Sequence, residues 1–321
     1  MKKIIYFPLL AVLALSANAY AQEFRSADIH PEGYPTVKAV QQMAKQLEKV
    51  SGGKDTIKVY LSGSLGNEKE TVEKLISGEL EMTRINISVI NNICPETKVL
   101  ALPFLFQSTA HLHKVLDGDI GKEILRICES KGLVGLAFYD SGARSIYTVK
   151  KSIRGVNDLK GLNIRVQQSD LWIAVLSAMG ANAVPMSFGE VYEALKTGAI
   201  DGAENNWPAY ETTKHFEVAK YYSLTEHSMA PEILLFSKKV WDKLTPRQRE
   251  ALWGAAQVSV PYMRRLWDER EAQAQKTIKE SGVKILEVDK VSFAIAVKPV
   301  YDKFITDAKS KELVARIRKV K

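Results

Sequence analysis

The sequence is poor in the residues that build metal sites and disulfide frameworks. Its 321 residues include two cysteines and five histidines. His111 and His113 lie close in sequence, but residues two apart on a helix do not face each other, so we expect no metal site. Cys94 and Cys128 could form one disulfide in an oxidising compartment, or Cys128 could be a small buried apolar side chain. The sequence leaves both open.

Nucleotide-binding and hydrolase motifs are also missing. The chain has no GxGxxG loop, no GxSxG turn and no HExxH helix, and residues 118–123 lack the spacing and the hydroxyl residue of a P-loop. We therefore expect no cofactor. A glycosidase needs only two carboxylates, which sequence alone cannot locate, so a secreted carbohydrate-active enzyme remains an alternative.

Neither a nucleic-acid partner nor a membrane span is indicated. The formal net charge is +8, but the 45 lysines and arginines are interleaved with 37 acidic residues. The densest basic run, residues 316–321, is explained equally well by a solvated helix end. A bilayer span needs about 20 consecutive apolar residues, and no segment reaches that length.

The first residues have the pattern of a cleaved secretory signal. Lys2 and Lys3 precede an apolar run over residues 4–15, and Ala19 and Ala21 have the small-residue spacing of a cleavage site. The mature chain is expected to begin near Gln22, outside the cytoplasm. The predicted cleavage site has no cysteine, so the sequence does not indicate a lipid anchor.

Strand and helix patterns alternate along the chain, which predicts an α/β fold with mostly parallel sheets. About 300 residues remain after the signal, enough for two domains. From Thr245 a capping sequence opens a helix that runs to about Ser281, roughly 50 Å at 1.5 Å per residue. Pro261 lies inside it and should kink it. This segment is either one kinked helix that lies across two lobes or two consecutive helices within one lobe.

Residues 163–211 place polar side chains at the ends of two predicted strands. Arg165 lies near the carboxyl end of the first strand, with Gln167 just beyond, and Asn205 follows the second. In open α/β sheets, ligands bind outside the carboxyl ends of the strands. Arg165 is therefore a candidate anion receptor, unless it pairs with a structural carboxylate.

Three more polar residues lie in predicted strands or extended segments. Arg144 is in the extended segment 142–150, and Arg84 and Asn86 lie among apolar residues of the strand predicted over 81–88. Such groups near strand ends can face the same crevice. A salt bridge from Arg84 to a loop acid is the alternative.

The order of these features resembles the extracytoplasmic solute-binding subunits of tripartite ATP-independent periplasmic (TRAP) transporters. The resemblance covers essentially the whole mature chain. Its most specific parts are residues 101–106, the GARS segment with Arg144, the NIRV strand with Arg165, and the run MSFGEVYEALKTGAIDGAEN that ends at Asn205.

The resemblance implies an α/β, two-lobed periplasmic binding protein fold with a long kinked helix spanning both lobes. The first lobe is expected to comprise residues 22–141 and 231–265, and the second residues 142–230 and 266–321 with the C-terminal helices. It further implies a periplasmic monomer that is not an enzyme. Such a protein binds a small organic acid and passes it to the membrane subunits of the transporter.

The resemblance also assigns an anion site. In the family, the arginine matching Arg165 forms a bidentate salt bridge with the ligand carboxylate, and the residues matching Arg144 and Asn205 complete the site. A planar guanidinium offers parallel donors that match a carboxylate.

The segments HPEGYPTV, TRIN, ENNWPAYE and EHSMAPE resemble the branch that binds hexuronates such as glucuronate and galacturonate. On this basis His30, Arg84 and Asn86 are expected to bind ring hydroxyls, and Trp207 to pack on a sugar face. Gln167 stands where the family often has proline and is either another hydroxyl contact or a turn residue. For His30, Arg84, Asn86 and Trp207, the alternative is a role in a loop or in the core. The alternative ligand is a different acid, such as a C4-dicarboxylate.

Overall fold

The computed structural model describes residues 22–321, and the predicted signal peptide lies outside the described residues. Within them, no helix has both the length and the hydrophobicity needed to cross a membrane. The strands are β1 (Gln22–Ala27), β2 (Asp55–Tyr60), β3 (Met82–Asn86), β4 (Leu133–Tyr139), β5 (Arg144–Thr148), β6 (Asn163–Val166), β7 (Asn182–Pro185), β8 (Gly202–Asn205), β9 (Tyr221–Ser228), β10 (Glu232–Ser237) and β11 (Lys284–Leu286). The helices are α1 (Pro35–Ser51), α2 (Glu68–Ser77), α3 (Thr109–Asp117), α4 (Asp119–Ile127), α5 (Asp170–Ala178), α6 (Val191–Thr197), α7 (Trp207–Thr212), α8 (His215–Val218), α9 (Lys238–Trp241), α10 (Pro246–Glu280), α11 (Lys290–Ala296), α12 (Lys298–Phe304) and α13 (Ala308–Lys319).

The strands form two sheets, one in each lobe. The first has the order β2-β1-β3-β10-β4 and the second the order β11-β9-β5-β8-β6-β7. Both are mixed rather than mostly parallel, because the strands that arrive from the other lobe run antiparallel to their neighbours. β10 is antiparallel to β3 and β4, and β5 is antiparallel to β8 and β9.

Helix α10 joins the two lobes. Its N-terminal part buries Leu252 and Trp267 in the core of the first lobe, whereas Ala274 and Ile278 lie in the core of the second. The helix is therefore one element shared by both lobes, not two helices in one lobe. Pro261 lies inside it and has no amide N–H to donate, which is the physical basis for the expected kink.

The start of α10 follows from its capping residues. The Thr245 hydroxyl accepts a hydrogen bond from the Gln248 amide at 3.3 Å, and the Gln248 side chain accepts one from the Thr245 amide at 3.0 Å. Pro246 occupies the first helical position, where a missing N–H costs nothing. These contacts form the capping box that the sequence predicts.

The C-terminal helices are divided between the lobes, which corrects the expected assignment of all of them to the second. α11 and α12 pack on β9 and α5 of the second lobe. α13 instead packs on α4 and on the 3₁₀ segment Pro95–Ala101 of the first lobe. Its backbone carbonyl at Ile317 lies 3.0 Å from Nε2 of His111, and Arg316 Nη1 donates to Glu123 Oε2 at 2.7 Å. The apolar face of α13 thus completes the first-lobe core.

Cys94 and Cys128 form a disulfide, with Cα atoms 5.7 Å apart. The bond connects the 3₁₀ segment Pro95–Ala101 to the end of α4, and both cysteines are buried in the first-lobe core. Of the two alternatives left open by the sequence, the structure has the disulfide.

Candidate ligand-binding site

A narrow cavity of about 20 Å³ lies between the lobes and adjoins a cleft of about 220 Å³. Both spaces are lined by Glu68 of the first lobe and by Arg165, Gln167 and Phe188 of the second. Seven of the eight residues predicted for the site line the inner cavity: His30, Arg84, Asn86, Arg144, Arg165, Gln167 and Asn205.

Arg165 ends on the cavity wall and is only 3 % exposed. Its Nε and Nη2 atoms donate to the carbonyl oxygen of Met186 at 3.0 and 2.7 Å. Within residues 22–321 no carboxylate lies within salt-bridge distance of it. Burial lowers the pKa of this guanidinium, although Glu204 and Tyr147 oppose the shift. A buried cation without a carboxylate partner is costly unless an anion completes the site.

Arg144, in contrast, is already neutralised by a buried carboxylate. Its Nε and Nη2 donate to the two carboxylate oxygens of Glu204 at 2.6 and 2.8 Å, and Nη1 donates to Asn205 Oδ1 at 2.9 Å. Burial alone would raise the pKa of Glu204, but Arg144 and the His227 ring, 3.6 Å away, outweigh it and lower that pKa to about 2. Arg144 therefore orients Asn205 and contributes little net charge to the cavity.

On the first-lobe side of the cavity, one guanidinium contacts three acidic side chains. Arg84 donates through Nε to Asp28 at 2.9 Å and through Nη1 to Glu232 at 2.8 Å, and the same Nη1 lies 3.5 Å from Glu68. The Asn86 amide donates to Glu232 at 3.1 Å. Arg84 thus forms salt bridges, which the sequence left open as the alternative to a ligand contact. Its side chain nevertheless lines the cavity.

Glu68 can hold a proton near neutral pH. Burial and the neighbouring Glu232 raise its pKa to about 7, and the attraction of Arg84 offsets only part of this. Its Oε1 accepts a hydrogen bond from the Asn86 backbone amide at 3.0 Å. Glu68 can therefore offer the cavity either a donor or an acceptor.

Two predicted residues present polar atoms that lack a hydrogen-bond partner in the described part of the chain. These are Nδ1 of His30 and Oε1 of Gln167. The His30 ring stacks on Tyr34 with centroids 3.7 Å apart. Burial, with the Arg84 charge adding to it, holds the pKa of His30 well below its usual range. The imidazole is neutral and can exchange hydrogen bonds with hydroxyl groups.

The structure does not place Trp207 at the cavity, which corrects its expected role. The indole stacks on Tyr222 with centroids 4.0 Å apart and belongs to the second-lobe core. The aromatic side chain that lines the cavity is Phe188, whose ring approaches His30 of the first lobe edge-on at 5.6 Å.

Sequence reasoning missed Phe188 and the acids Glu68, Glu204 and Glu232. Glu68 did carry a signal, because it opens a helix after the carboxyl end of a strand, where crevice residues lie. Glu204 precedes Asn205 in its strand, and Glu232 opens an apolar strand. Nothing local shows that these acids pair with Arg144 and Arg84, 60 and 148 residues away.

Comparison with known proteins decides the family. Residues 26–307 match DctP, the bacterial extracellular solute-binding protein family 7. The chain belongs to this family. A solute-binding protein of Chromohalobacter salexigens is 39% identical over 300 residues, which are 93% of this chain and 89% of that protein.

Solved structures of TRAP periplasmic solute-binding proteins share this fold. One, from Bradyrhizobium sp. BTAi1 in complex with α/β-D-galacturonate, is 56% identical and superposes with a TM-score of 0.92, covering 92% of this chain and 99% of that one. Another, from Pseudomonas putida F1 with bound D-glucuronate, is 42% identical with a TM-score of 0.90, covering 94% and 98%.

The predictions of a TRAP solute-binding protein and of its two-lobed fold are therefore confirmed. This DctP-family protein is a binding component of a transport system and not an enzyme. Its family is extracytoplasmic and binds small organic acids. The roles of the individual site residues remain predictions.

Proposed function

We propose that this solute-binding protein binds a hexuronate, D-glucuronate or D-galacturonate, in the periplasm and delivers it to the membrane subunits of a TRAP transporter. One observation carries the proposal. Arg165 is a buried guanidinium on the cavity wall without a carboxylate partner among the described residues, whereas Arg84 contacts three acidic side chains and Arg144 contacts one.

The hydrogen bonds of Arg165 define where a carboxylate would bind. The edge formed by Nε and Nη2 holds the Met186 carbonyl and fixes the orientation of the guanidinium. The edge formed by Nη1 and Nη2 keeps two parallel N–H donors for the ligand. In a desolvated cavity such a bidentate, charge-assisted pair is strong, and Asn205 lies beside it as a further polar contact.

The first-lobe wall favours hydroxyl groups at the other end of the ligand. Hydroxyls can donate to Glu68 and Glu232 and exchange hydrogen bonds with His30. A C4-dicarboxylate would instead bring a second negative charge to a wall whose guanidinium, Arg84, is already paired with Asp28 and Glu232, which disfavours it. The two related structures that contain galacturonate and glucuronate support the same ligand class.

The division of the site between lobes connects binding to delivery. Arg165 and Phe188 belong to the second lobe, and His30 and Glu68 to the first. A ligand that contacts both walls favours the closed arrangement because only that arrangement makes all contacts. Closure would then report the loaded state to the membrane subunits.

A thermal-shift screen followed by product analysis tests the proposal. We expect D-glucuronate or D-galacturonate to raise the apparent stability by about 2.7 kcal/mol at one hundred times the dissociation constant. D-galactose and malate serve as the neutral-sugar and dicarboxylate controls. A shift with galactose but not with uronates would contradict the carboxylate site, and consumption of any ligand would favour the secreted enzyme.

A further inference from the structure

A second cavity, a groove of about 660 Å³, lies on the seam between the lobes. It shares no lining residue with the inner cavity or its cleft. One wall belongs to the first lobe and consists of Phe104 and α13, and the other consists of α11 and α12 of the second lobe. The Phe104 amide donates to the His227 carbonyl at 2.9 Å, and the Tyr301 hydroxyl donates to the Pro103 carbonyl at 2.7 Å. The walls therefore meet across the interlobe boundary.

Two exposed apolar side chains lie on α11, the helix that contributes Ala294 to the groove wall. Val291 is 66% exposed and Ile295 is 56% exposed, the largest values among the exposed large hydrophobic residues in the described range. They lie one turn apart on α11, and Ile295 directly follows Ala294, which lines the groove. The groove itself is lined by apolar side chains such as Phe104 and Ile305 together with charged ones, a combination typical of a protein interaction site.

The rim of the groove is positively charged. Lys298, Lys311 and Arg318 line it, with Asp302 as the one acidic residue among the lining side chains of this pocket. The Arg318 guanidinium lies 5.4 Å from the centre of the Tyr301 ring, a cation–π contact that orients its charge at the groove edge. Apolar contacts at the centre and basic charges at the rim complement an apolar side chain flanked by carboxylates.

We propose that the groove is a docking site for a segment of the transporter's membrane subunits that presents an apolar side chain flanked by acidic residues. The inference rests on the proposed function. A flat lipid surface would not reach the concave apolar floor, and a second copy of this chain would bring the same basic rim. Because the two walls belong to different lobes, lobe closure changes the width of the groove and lets the partner distinguish loaded from empty protein.

Uronate uptake into proteoliposomes that contain the membrane subunits tests this docking surface. The test variants are Ala315→Asp and Lys298→Glu, both at exposed positions that line the groove, and the matched controls are Val258→Asp and Lys303→Glu, which are exposed but do not line it. We expect the test variants to raise the binding-protein concentration needed for half-maximal uptake by about tenfold or more, equivalent to about 1.4 kcal/mol of docking energy. Calorimetric affinity for the uronate should stay at the wild-type value in all four.

Other outcomes overturn the inference in distinguishable ways. Wild-type uptake by both test variants refutes the docking surface alone, whereas absence of uronate binding by the wild-type protein refutes the proposed function and the inference with it. Binding to protein-free anionic vesicles that Lys298→Glu abolishes would assign the groove to lipid. A dimer in solution that Ala315→Asp dissociates would assign the groove to a second copy of the chain.

Discussion

The guanidinium of Arg144 and the carboxylate of Glu204 form a buried ion pair with two hydrogen bonds, Nε to Oε2 at 2.6 Å and Nη2 to Oε1 at 2.8 Å. This pair makes the two arginines of the second-lobe wall unequal. Arg144 is compensated within the protein, and Arg165 is left to be compensated by a ligand. In the proposed anion site, Arg165 is therefore the guanidinium that binds the ligand carboxylate, and Arg144 positions Asn205.

Replacing Glu204 tests whether this carboxylate is needed to compensate the buried positive charge of Arg144. Glu204→Gln leaves a buried cation uncompensated, so we expect the free energy of unfolding of the ligand-free protein to fall by about 3–5 kcal/mol in urea denaturation. Glu193→Gln, in an exposed pair with Lys196, is the control and should change stability little. A Glu204→Gln protein as stable as the control would show that the pair does not hold this wall together.

Glu68 predicts an unusual dependence of stability on pH. Its pKa is about 7 in the folded protein against an ordinary value of 4.5, so the folded state binds the extra proton between these values. The free energy of unfolding therefore falls as pH rises through this window, by up to about 3 kcal/mol. We expect Glu68→Gln, which cannot ionise, to gain stability relative to wild type between pH 5 and pH 8 in thermal or urea unfolding.

The exposed Glu73 on the same helix supplies the control for this measurement. Glu73→Gln should track the wild-type stability across the same pH range. If the stability difference between wild type and Glu68→Gln is constant from pH 5 to pH 8, Glu68 does not carry the proton.

Most of the seven cavity residues could be predicted because their signals are local, whereas the two-lobed fold and the place of His30 were implied by the family resemblance. Apolar periodicity and capping residues locate strands and helices, and the end of a strand locates Arg165 and Asn205 at a crevice. Charge pairing has no such local signal, since Glu204 and Glu232 come from strands distant in sequence from their arginines. Trp207 and Phe188 illustrate a second limit, because the sequence shows an aromatic residue near a strand end but not which way its ring faces.

Substitutions of Phe188 and Trp207 are expected to have opposite effects on uronate affinity and on stability. Phe188→Ala should weaken uronate affinity by about tenfold, since it removes an aromatic contact on the cavity wall. Trp207→Ala should leave affinity near the wild-type value and lower the free energy of unfolding by about 3–5 kcal/mol, because it opens a cavity in the core. Calorimetric titration and urea unfolding of both variants check this, and the reverse pattern would restore Trp207 to the site.

The Cys94–Cys128 disulfide closes a loop with a sequence separation of 34 residues. A cross-link of this span is expected to contribute about 4 kcal/mol by restricting the unfolded chain. The double variant Cys94→Ala/Cys128→Ala should lose stability by that order in urea unfolding, and a reducing agent should destabilise the wild type but not the variant. Equal sensitivity of both proteins to the reductant would contradict a structural disulfide.

The most direct test of the account is calorimetric titration of D-galacturonate and D-glucuronate into wild type, Arg165→Lys and the exposed-site control Arg154→Lys. Arg165→Lys keeps the charge but loses the two parallel donors, so we expect uronate affinity to fall by about thirtyfold to several thousandfold, equivalent to about 2–5 kcal/mol. Arg154→Lys should bind as wild type does. Uronate affinity in Arg165→Lys within about twofold of wild type would contradict a bidentate carboxylate site at Arg165.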